Sequence, residues 1–274
     1  MFKDVALGQY YQASSFVHRL DPRLKILALI AYIVAIFLSK NFFGLGICTL
    51  LLIVVIACSK VPFRKVLRAV KGILFLLVFT AVIQLFFYRA DENAVVLVQW
   101  WIVTVTDQAV FFTLFLLLRL SLLVMVASML TYTTTPVSLT DGLESLLTPL
   151  KAIRFPVHEL ALIMSIALRF IPTLMEETER IMNAQKARGA DFESGGLLKR
   201  AKAVVPILIP LLISSFRRAE ELGDAMDARC YAGSKVRTKY KKLTFTWRDL
   251  VALFVMAALV TGVVLFNAFF GGAV

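Results

Sequence analysis

Long apolar stretches are the feature that most constrains the fold of this chain. Five of them reach, or nearly reach, the length that crosses a bilayer: 24–39, 43–59, 72–88, 110–132 and 250–270. A spanning helix needs about 20 mostly apolar residues, because lipid offers the backbone no hydrogen-bond partner. With 59% hydrophobic residues and 22 phenylalanines, the composition is far from that of soluble domains. The sequence therefore predicts an all-α, polytopic membrane protein with about five transmembrane helices.

Two further apolar runs, 160–175 and 203–216, are shorter and are interrupted by Pro172, Pro206 and Pro210. If both crossed the membrane, the basic region 176–202 would face outward. Cytoplasmic segments are normally the basic ones. We therefore expect both runs to stay on the cytoplasmic side.

The remaining charges predict the topology. Basic residues precede the first stretch, fill the connection between the second and third, and are frequent in 133–248. This places the amino terminus in the cytoplasm and, after five crossings, the carboxyl terminus outside. The predicted organisation is a membrane domain at 1–132, a cytoplasmic region at 133–248 and a last transmembrane helix at 249–274. The form of the outer connection 89–107 is left open.

The net charge of +12 is explained by membrane orientation and by contact with anionic lipids, so no nucleic-acid partner is expected. The chain lacks the G-x-x-x-x-G-K-[ST] loop that cradles nucleotide phosphates. Its three cysteines lack C-x-x-C spacing, and His18 and His158 lie far apart in sequence, so no metal site is expected either. We predict no catalytic residues and no cofactor.

Arg119 is the one ionised residue well inside a predicted span. The cost of a charge in lipid makes a functional role in the bundle interior or at a partner subunit one hypothesis. The alternative is structural: the guanidinium reaches water or pairs with a tyrosine, Gln84 or a carbonyl.

The region 133–248 contains two amphipathic helix patterns. In the first, apolar residues recur at steps of three and four up to Gly189; the second repeats this plan up to Cys230 and Gly233. Both patterns are apolar at the start and charged towards the end. The sequence therefore predicts two long helices joined by a glycine-containing connection.

Each predicted helix ends in a small residue, an arginine and another small residue. The first tip is Ala187, Arg188 and Gly189, and the second is Ala228, Arg229 and Cys230. Small neighbours allow close approach to another surface, and a guanidinium donates to carboxylates or carbonyls there. Alternatively, the arginines only complement the negative carboxyl ends of the helices.

Three segments together resemble a known family: LGQYYQASSFVHRLDPRLKI, LRFIPTLMEETERIMNAQKARGADF and EELGDAMDARCYAG. They are similar to the transmembrane T component of energy-coupling factor transporters, which are vitamin and transition-metal importers of the ATP-binding cassette class. The resemblance implies a non-catalytic subunit, with ATP and Mg²⁺ bound by partners. It also implies a structural or interfacial role for HRLDPR, His18 to Arg23.

The implied partners are two cytoplasmic ATPase subunits, a substrate-binding membrane subunit called the S component, and membrane lipids. Each ATPase would hold one tip, although Cys230 stands where the family motif has glycine. The two tips differ, which fits an ATPase heterodimer and leaves a homodimer open. The resemblance places the S component on the two apolar runs, for which packing within the chain is the alternative; its candidate contacts are Ile171, Pro172, Leu174, Pro206, Pro210 and Leu211.

The expected function is a scaffold that transmits ATPase motion through two coupling helices to an S component, for uptake of vitamins or related micronutrients. The alternatives are the permease subunit of another ATP-driven importer, or a T component dedicated to cobalt or nickel. A lipid phosphotransferase would need clustered Asp or His residues, and a secondary transporter would show repeated spans. Neither pattern is present in the sequence.

Overall fold

The computed structural model describes residues 10–87, 96–100, 103–190, 192, 196–231, 233 and 245–269, without the side chains of 96–105 and 197–201. Within these ranges the helices are α1 (Pro22–Leu38), α2 (Phe42–Ser59), α3 (Phe63–Gly72), α4 (Leu74–Phe87), α5 (Asp107–Thr133), α6 (Pro136–Leu147), α7 (Val157–Ala187), α8 (Leu197–Ala228) and α9 (Trp247–Phe269). A 3-10 helix covers Thr148–Ile153.

The chain divides into two compact units. The first, which we call the membrane bundle, comprises the described residues of 10–142 and 245–269. The second, which we call the arm unit, comprises those of 143–231 and residue 233. Helix α6 crosses the division. The boundaries predicted at 132/133 and 248/249 lie near this division but do not coincide with it, and the assignment of those domains to the membrane and the cytoplasm stays a prediction.

Most of the predicted spans correspond to single helices. Helices α2, α5 and α9 are each long and apolar enough to cross a membrane, while α1 is slightly short at 17 residues. The third stretch, 72–88, becomes α4, which has only 14 residues. It reaches span length only together with α3, from which it is bent by 57°. The chain is thus an all-α, polytopic membrane protein.

Part of the connection 89–107, whose form the sequence leaves open, is a short antiparallel hairpin. Strand β1 (Val96–Trp100) pairs with β2 (Val103–Thr106), with Trp100 opposite Val103. Within that connection, residues 89–95 and 101–102 lie outside the described residues.

Helix α7 differs from the expectation for its apolar run. The run 160–175 continues without interruption into the amphipathic segment, giving a helix of 31 residues that passes through Pro172. Its most apolar window has a mean hydropathy of 1.5, against 2.5 to 2.6 for α2, α5 and α9. Length and composition would therefore permit α7 to cross a membrane, although it is the least apolar of these helices.

The core of the membrane bundle lies where α5 packs against α1, α2, α3 and α4, and where α9 packs against α1 and α2. Buried side chains at this junction include Ile36, Leu45, Leu122 and Val263. The opposite faces carry large exposed apolar side chains, such as Phe75 at 83% exposure. Such an outward-facing apolar surface suits a bundle whose solvent is hydrocarbon.

Polar contacts join α1, α5 and α9 at one end of the bundle. Asp249, in the first turn of α9, is only 2% exposed. One of its carboxylate oxygens accepts the N–H of Asp21 at 2.8 Å, and the other accepts the N–H of Thr246 at 2.8 Å. The ammonium of Lys25 donates to the carbonyls of His18 and Thr133, at 3.1 and 2.9 Å. Charged side chains thus complete the backbone hydrogen bonding of distant segments.

The HRLDPR segment initiates α1. Asp21 is the N-cap and accepts the N–H of Arg23, and Pro22 occupies the first helical position. Nε2 of His18 lies 3.0 Å from the carbonyl of Tyr11, and Nδ1 lies 2.7 Å from Oγ of Ser15. Burial lowers the pKa of His18, and the nearby Lys25 charge lowers it further. Because a carbonyl oxygen can only accept, Nε2 of His18 donates to Tyr11, and this bond fixes the segment before α1.

We predict that Asp249→Ala lowers the free energy of unfolding by about 2 to 4 kcal/mol, because it leaves the buried N–H of Asp21 and the partly buried N–H of Thr246 without their acceptor. Thermal unfolding of the purified full-length chain in detergent measures this loss. Glu176→Ala, at an exposed position, is the control and should change the midpoint little. An unchanged midpoint for Asp249→Ala would contradict the role assigned to the carboxylate.

Candidate functional site

The arm unit is built around the packing of α7 against α8. An ion pair joins the two helices, with Nη2 of Arg218 3.1 Å from a carboxylate oxygen of Glu177. Both side chains are partly exposed, so this pair contributes at most about 1 kcal/mol. On α8, Ile207 is buried and Leu211 is partly buried, whereas Leu208 and Leu212 are exposed.

The first tip ends α7 in a defined backbone motif. Ala187 is the last helical residue, Arg188 is the C-cap, and Gly189 has a φ of +89°. The N–H of Gly189 bonds to the carbonyl of Lys186 at 3.0 Å, and the N–H of Ala190 bonds to that of Gln185 at 3.0 Å. This pair of bonds is a Schellman motif, which requires a left-handed residue after the C-cap.

The second tip repeats this geometry on α8. Ala228 ends the helix, Arg229 is the C-cap, and Cys230 has a φ of +56°. The N–H of Cys230 bonds to the carbonyl of Asp227 at 2.9 Å, and that of Tyr231 to the carbonyl of Met226 at 3.1 Å. Cysteine therefore adopts the conformation that glycine adopts in the first tip. It does so under strain, since a Cβ disfavours the left-handed region.

Both tip arginines are exposed, as are the small residues on either side of them. Among the described residues, neither guanidinium forms an ion pair with a carboxylate. The Schellman bonds already satisfy two of the last carbonyls of each helix. The arginines are not needed for that purpose, although a favourable interaction with the helix dipole remains open to them.

The six residues predicted to contact the S component fall into two groups. Ile171, Pro206 and Pro210 are exposed, whereas Pro172, Leu174 and Leu211 are partly buried. The exposed apolar surface of α8 is broader than this prediction, because it also includes Val204, Val205, Leu208, Ile209, Leu212 and Ile213. The run VVPILIPLLI is apolar throughout and lacks the 3.6-residue periodicity of a helix with one apolar face. This continuous apolar run is the sequence signal that indicates the wider surface.

Arg119 lies near the middle of α5, where its Nη2 donates to the carbonyl of Ser39 at 2.7 Å. Ser39 is the C-cap of α1. The guanidinium also lies over the ring of Phe115, 4.5 Å from its centroid. These contacts favour the structural alternative, in which Arg119 completes the carboxyl end of a neighbouring helix.

The other candidate ligands are dispersed. Within the described ranges, no three His, Cys, Asp or Glu residues are grouped so that they could hold a metal ion. His158 contacts Glu144, with Nδ1 3.1 Å from a carboxylate oxygen. Of the cysteines, Cys48 is buried, whereas Cys58 and Cys230 are exposed.

We predict opposite effects of two substitutions at the tips. Cys230→Gly removes the strain of a Cβ in the left-handed region, which is about 1 kcal/mol. Hydrogen exchange at the end of α8 should therefore slow about fivefold. Gly189→Ala introduces the same strain, without a steric clash, and should speed exchange at the end of α7 to a similar extent. Peptide-level hydrogen–deuterium exchange of the full-length chain measures both.

The matched control is Gly223→Ala in the interior of α8, where an added methyl also meets nothing. Alanine is a better helix former than glycine, so here the same substitution should slow exchange. Slower exchange for Gly189→Ala as well would contradict the importance of the left-handed conformation.

Comparison with known proteins supports the membrane architecture. The model of the family described as CbiQ, cobalt transport protein, matches residues 13–240. This match extends from the segment before α1 to beyond the second tip, and so includes both arginines.

Several relatives match over almost their whole length. The chain is 44% identical to the energy-coupling factor transporter transmembrane protein EcfT of Ruminiclostridium cellulolyticum, over 98% of this chain and 100% of the relative. The protein of the same name from Acidaminococcus fermentans is 48% identical, over 94% of this chain and 95% of the relative. That from Bacillus subtilis is 43% identical, over 94% of this chain and 98% of the relative. The chain therefore belongs to the CbiQ/EcfT family, the transmembrane T components of energy-coupling factor transporters.

Proposed function

We propose that this T component couples ATP hydrolysis by two cytoplasmic subunits to the movement of a substrate-binding S component. The observation that carries the proposal is the pair of helix tips with the same backbone geometry and an exposed arginine at each C-cap. A repeated, solvent-exposed cationic end suits attachment to two similar surfaces. One tip would be held by each ATPase.

The chemistry at each tip is a forked donor on a rigid support. An arginine can bind a carboxylate or several carbonyls in a groove of the ATPase, and the small residues beside it allow the helix end to approach closely. The tips differ in the residue after the arginine, glycine in one and cysteine in the other. This difference supports a heterodimer of ATPases.

The proposed motion passes along α7 and α8. Closure of the ATPase pair on ATP and Mg²⁺ would move both tips. Helices α7 and α8 would move together, because they pack against each other and are joined by the Arg218–Glu177 ion pair. Their amino-terminal halves carry the exposed apolar residues to which the S component would bind, Ile171, Pro206 and Pro210 among them. The S component would then turn in the bilayer and release its substrate inside.

The proposed orientation has the amino terminus in the cytoplasm and the carboxyl terminus outside. Its support is the distribution of Lys and Arg, which is dense in 133–248 and sparse in the connections assigned to the outside. Helix α7 would lie at the cytoplasmic surface, because crossing would place part of that basic region outside. Its mean hydropathy, lower than that of the other candidate spans, agrees with this placement.

We propose vitamins or related micronutrients as the transported compounds, with the S component selecting among them. Dedication to cobalt or nickel is the second candidate, and the description of the matching family model favours it. The names of the close relatives mention no metal. Mass spectrometry of the subunits that copurify with the chain distinguishes the two candidates.

We predict that Arg188→Glu or Arg229→Glu weakens copurification with the ATPases, and that the double variant abolishes ATP-dependent uptake while the chain still inserts in the membrane. Each reversal would cost roughly 2 to 5 kcal/mol of binding free energy if the arginine has a buried charged partner. Pull-down from solubilised membranes and uptake by vesicles measure the two effects.

Matched controls are Arg180→Glu on α7 and Arg217→Glu on α8, which are exposed and lie away from the tips. Both should assemble and support uptake nearly as well as the unaltered chain. Normal assembly and uptake by the Arg188→Glu/Arg229→Glu variant would refute the coupling role.

A further inference from the structure

The membrane bundle contains a cleft that the coupling proposal does not use. Its volume is about 260 Å³, and it lies among α1, α2, α5 and α9, with residues Phe16, Val17 and Leu20 of the preceding segment at one end. All of its lining residues belong to the bundle. Phe16, Val54 and Val251 line it and are exposed, so the cleft opens at the surface.

The walls of the cleft are apolar apart from four side chains, Lys25, Tyr32, Cys58 and Thr133. Three of these already bond to the backbone. Lys25 donates to the carbonyls of His18 and Thr133, the hydroxyl of Tyr32 to the carbonyl of Cys48, and that of Thr133 to the carbonyl of Met129. A polar solute would therefore find few partners inside, whereas a hydrocarbon chain needs none.

Three basic residues are close in sequence to lining residues, just before α1, at the end of α2 and at the start of α9. Arg19 stands between Val17 and Leu20, Lys60 follows the lining residue Cys58 by two positions, and Arg248 precedes Val251 by one helical turn. Arg19 and Lys60 are exposed and Arg248 is partly exposed. Among the described residues, none of the three is in an ion pair. We call these three residues the basic rim.

We propose that this cleft binds one acyl chain of an anionic glycerophospholipid, with the phosphate at the basic rim. The apolar walls match the chain, and the rim is complementary to the charge of the headgroup. Each basic residue near an anionic lipid contributes about 1 kcal/mol, so the rim makes this lipid preferable to a zwitterionic one. The inference is independent of the proposed coupling role of the tips.

The cleft also suits a lipid better than a helix of a partner. A helix is about 10 Å wide with its side chains and would need a broad face rather than a cleft between four helices. A bound acyl chain would fill the space between α1, α2 and α9, the helices whose starts or ends carry the rim. We therefore expect the lipid to stabilise the bundle as well as to occupy it.

The test uses the full-length chain in nanodiscs of phosphatidylcholine that contain a trace of phosphatidylglycerol with a photoreactive diazirine in one acyl chain. After illumination, mass spectrometry locates the crosslinked residues. We expect crosslinks at lining residues of α2 and α9, and at least fivefold fewer when the probe is the corresponding phosphatidylcholine, because that lipid lacks the net charge to which all three rim residues are complementary. Arg19→Gln should lower the phosphatidylglycerol crosslinks about fivefold, the equivalent of 1 kcal/mol. Arg64→Gln, an exposed residue of α3, should not.

A second pair of variants tests the cleft itself. Val54→Trp should fill it and abolish the crosslinks, whereas Ile53→Trp should leave them unchanged. These neighbours are 49% and 53% exposed, but only Val54 lines the cleft. Equal crosslinking by both lipids, or crosslinks insensitive to Val54→Trp and to Arg19→Gln, would overturn the proposal. So would a protein crosslink from Cys58 to a partner subunit, formed in the assembled complex with a photoreactive reagent attached to the Cys58 thiol.

Discussion

The membrane bundle depends on hydrogen bonds to the backbone groups at its helix ends. These groups need protein partners, because water is absent from both the lipid and the protein interior. Charged side chains from distant parts of the chain provide these partners. Lys25 of α1 donates to the last residue of α5, Asp249 of α9 accepts from the residue that caps α1, and Arg119 of α5 donates to the residue after α1. Each contact satisfies a backbone group that would otherwise cost free energy in the interior. The same contacts fix which helices are neighbours.

The arm unit completes the ends of its two long helices differently. At both tips the main chain turns into the left-handed region and bonds to its own last carbonyls. The arginines at the C-caps are therefore left exposed, unlike Arg119 in the bundle. This contrast is why the tips are better candidates for a binding surface than Arg119.

Much of the fold follows from the sequence because the hydrophobic signal is strong. Apolar runs of span length appear as α2, α5 and α9, and the repeated amphipathic pattern appears as α7 and α8. The less regular features were harder to predict. The bend between α3 and α4 and the β1–β2 hairpin depend on local backbone geometry, which apolar periodicity does not encode. The sequence predicts a one-sided apolar stripe on α8, whereas the exposed apolar surface of that helix is wider.

The sequence by itself determined the membrane class, the helical arms and the position of an arginine at each arm's end, because hydrophobic length and periodicity are local properties. Tertiary structure alone decided which charges complete which helix ends, that Cys230 adopts a glycine-like conformation, and that four helices enclose an apolar cleft beside a basic rim. These features join residues such as Asp21 and Asp249, which are far apart in the chain. No pattern of spacing specifies such pairs; they form only when the packed helices bring them within hydrogen-bond distance.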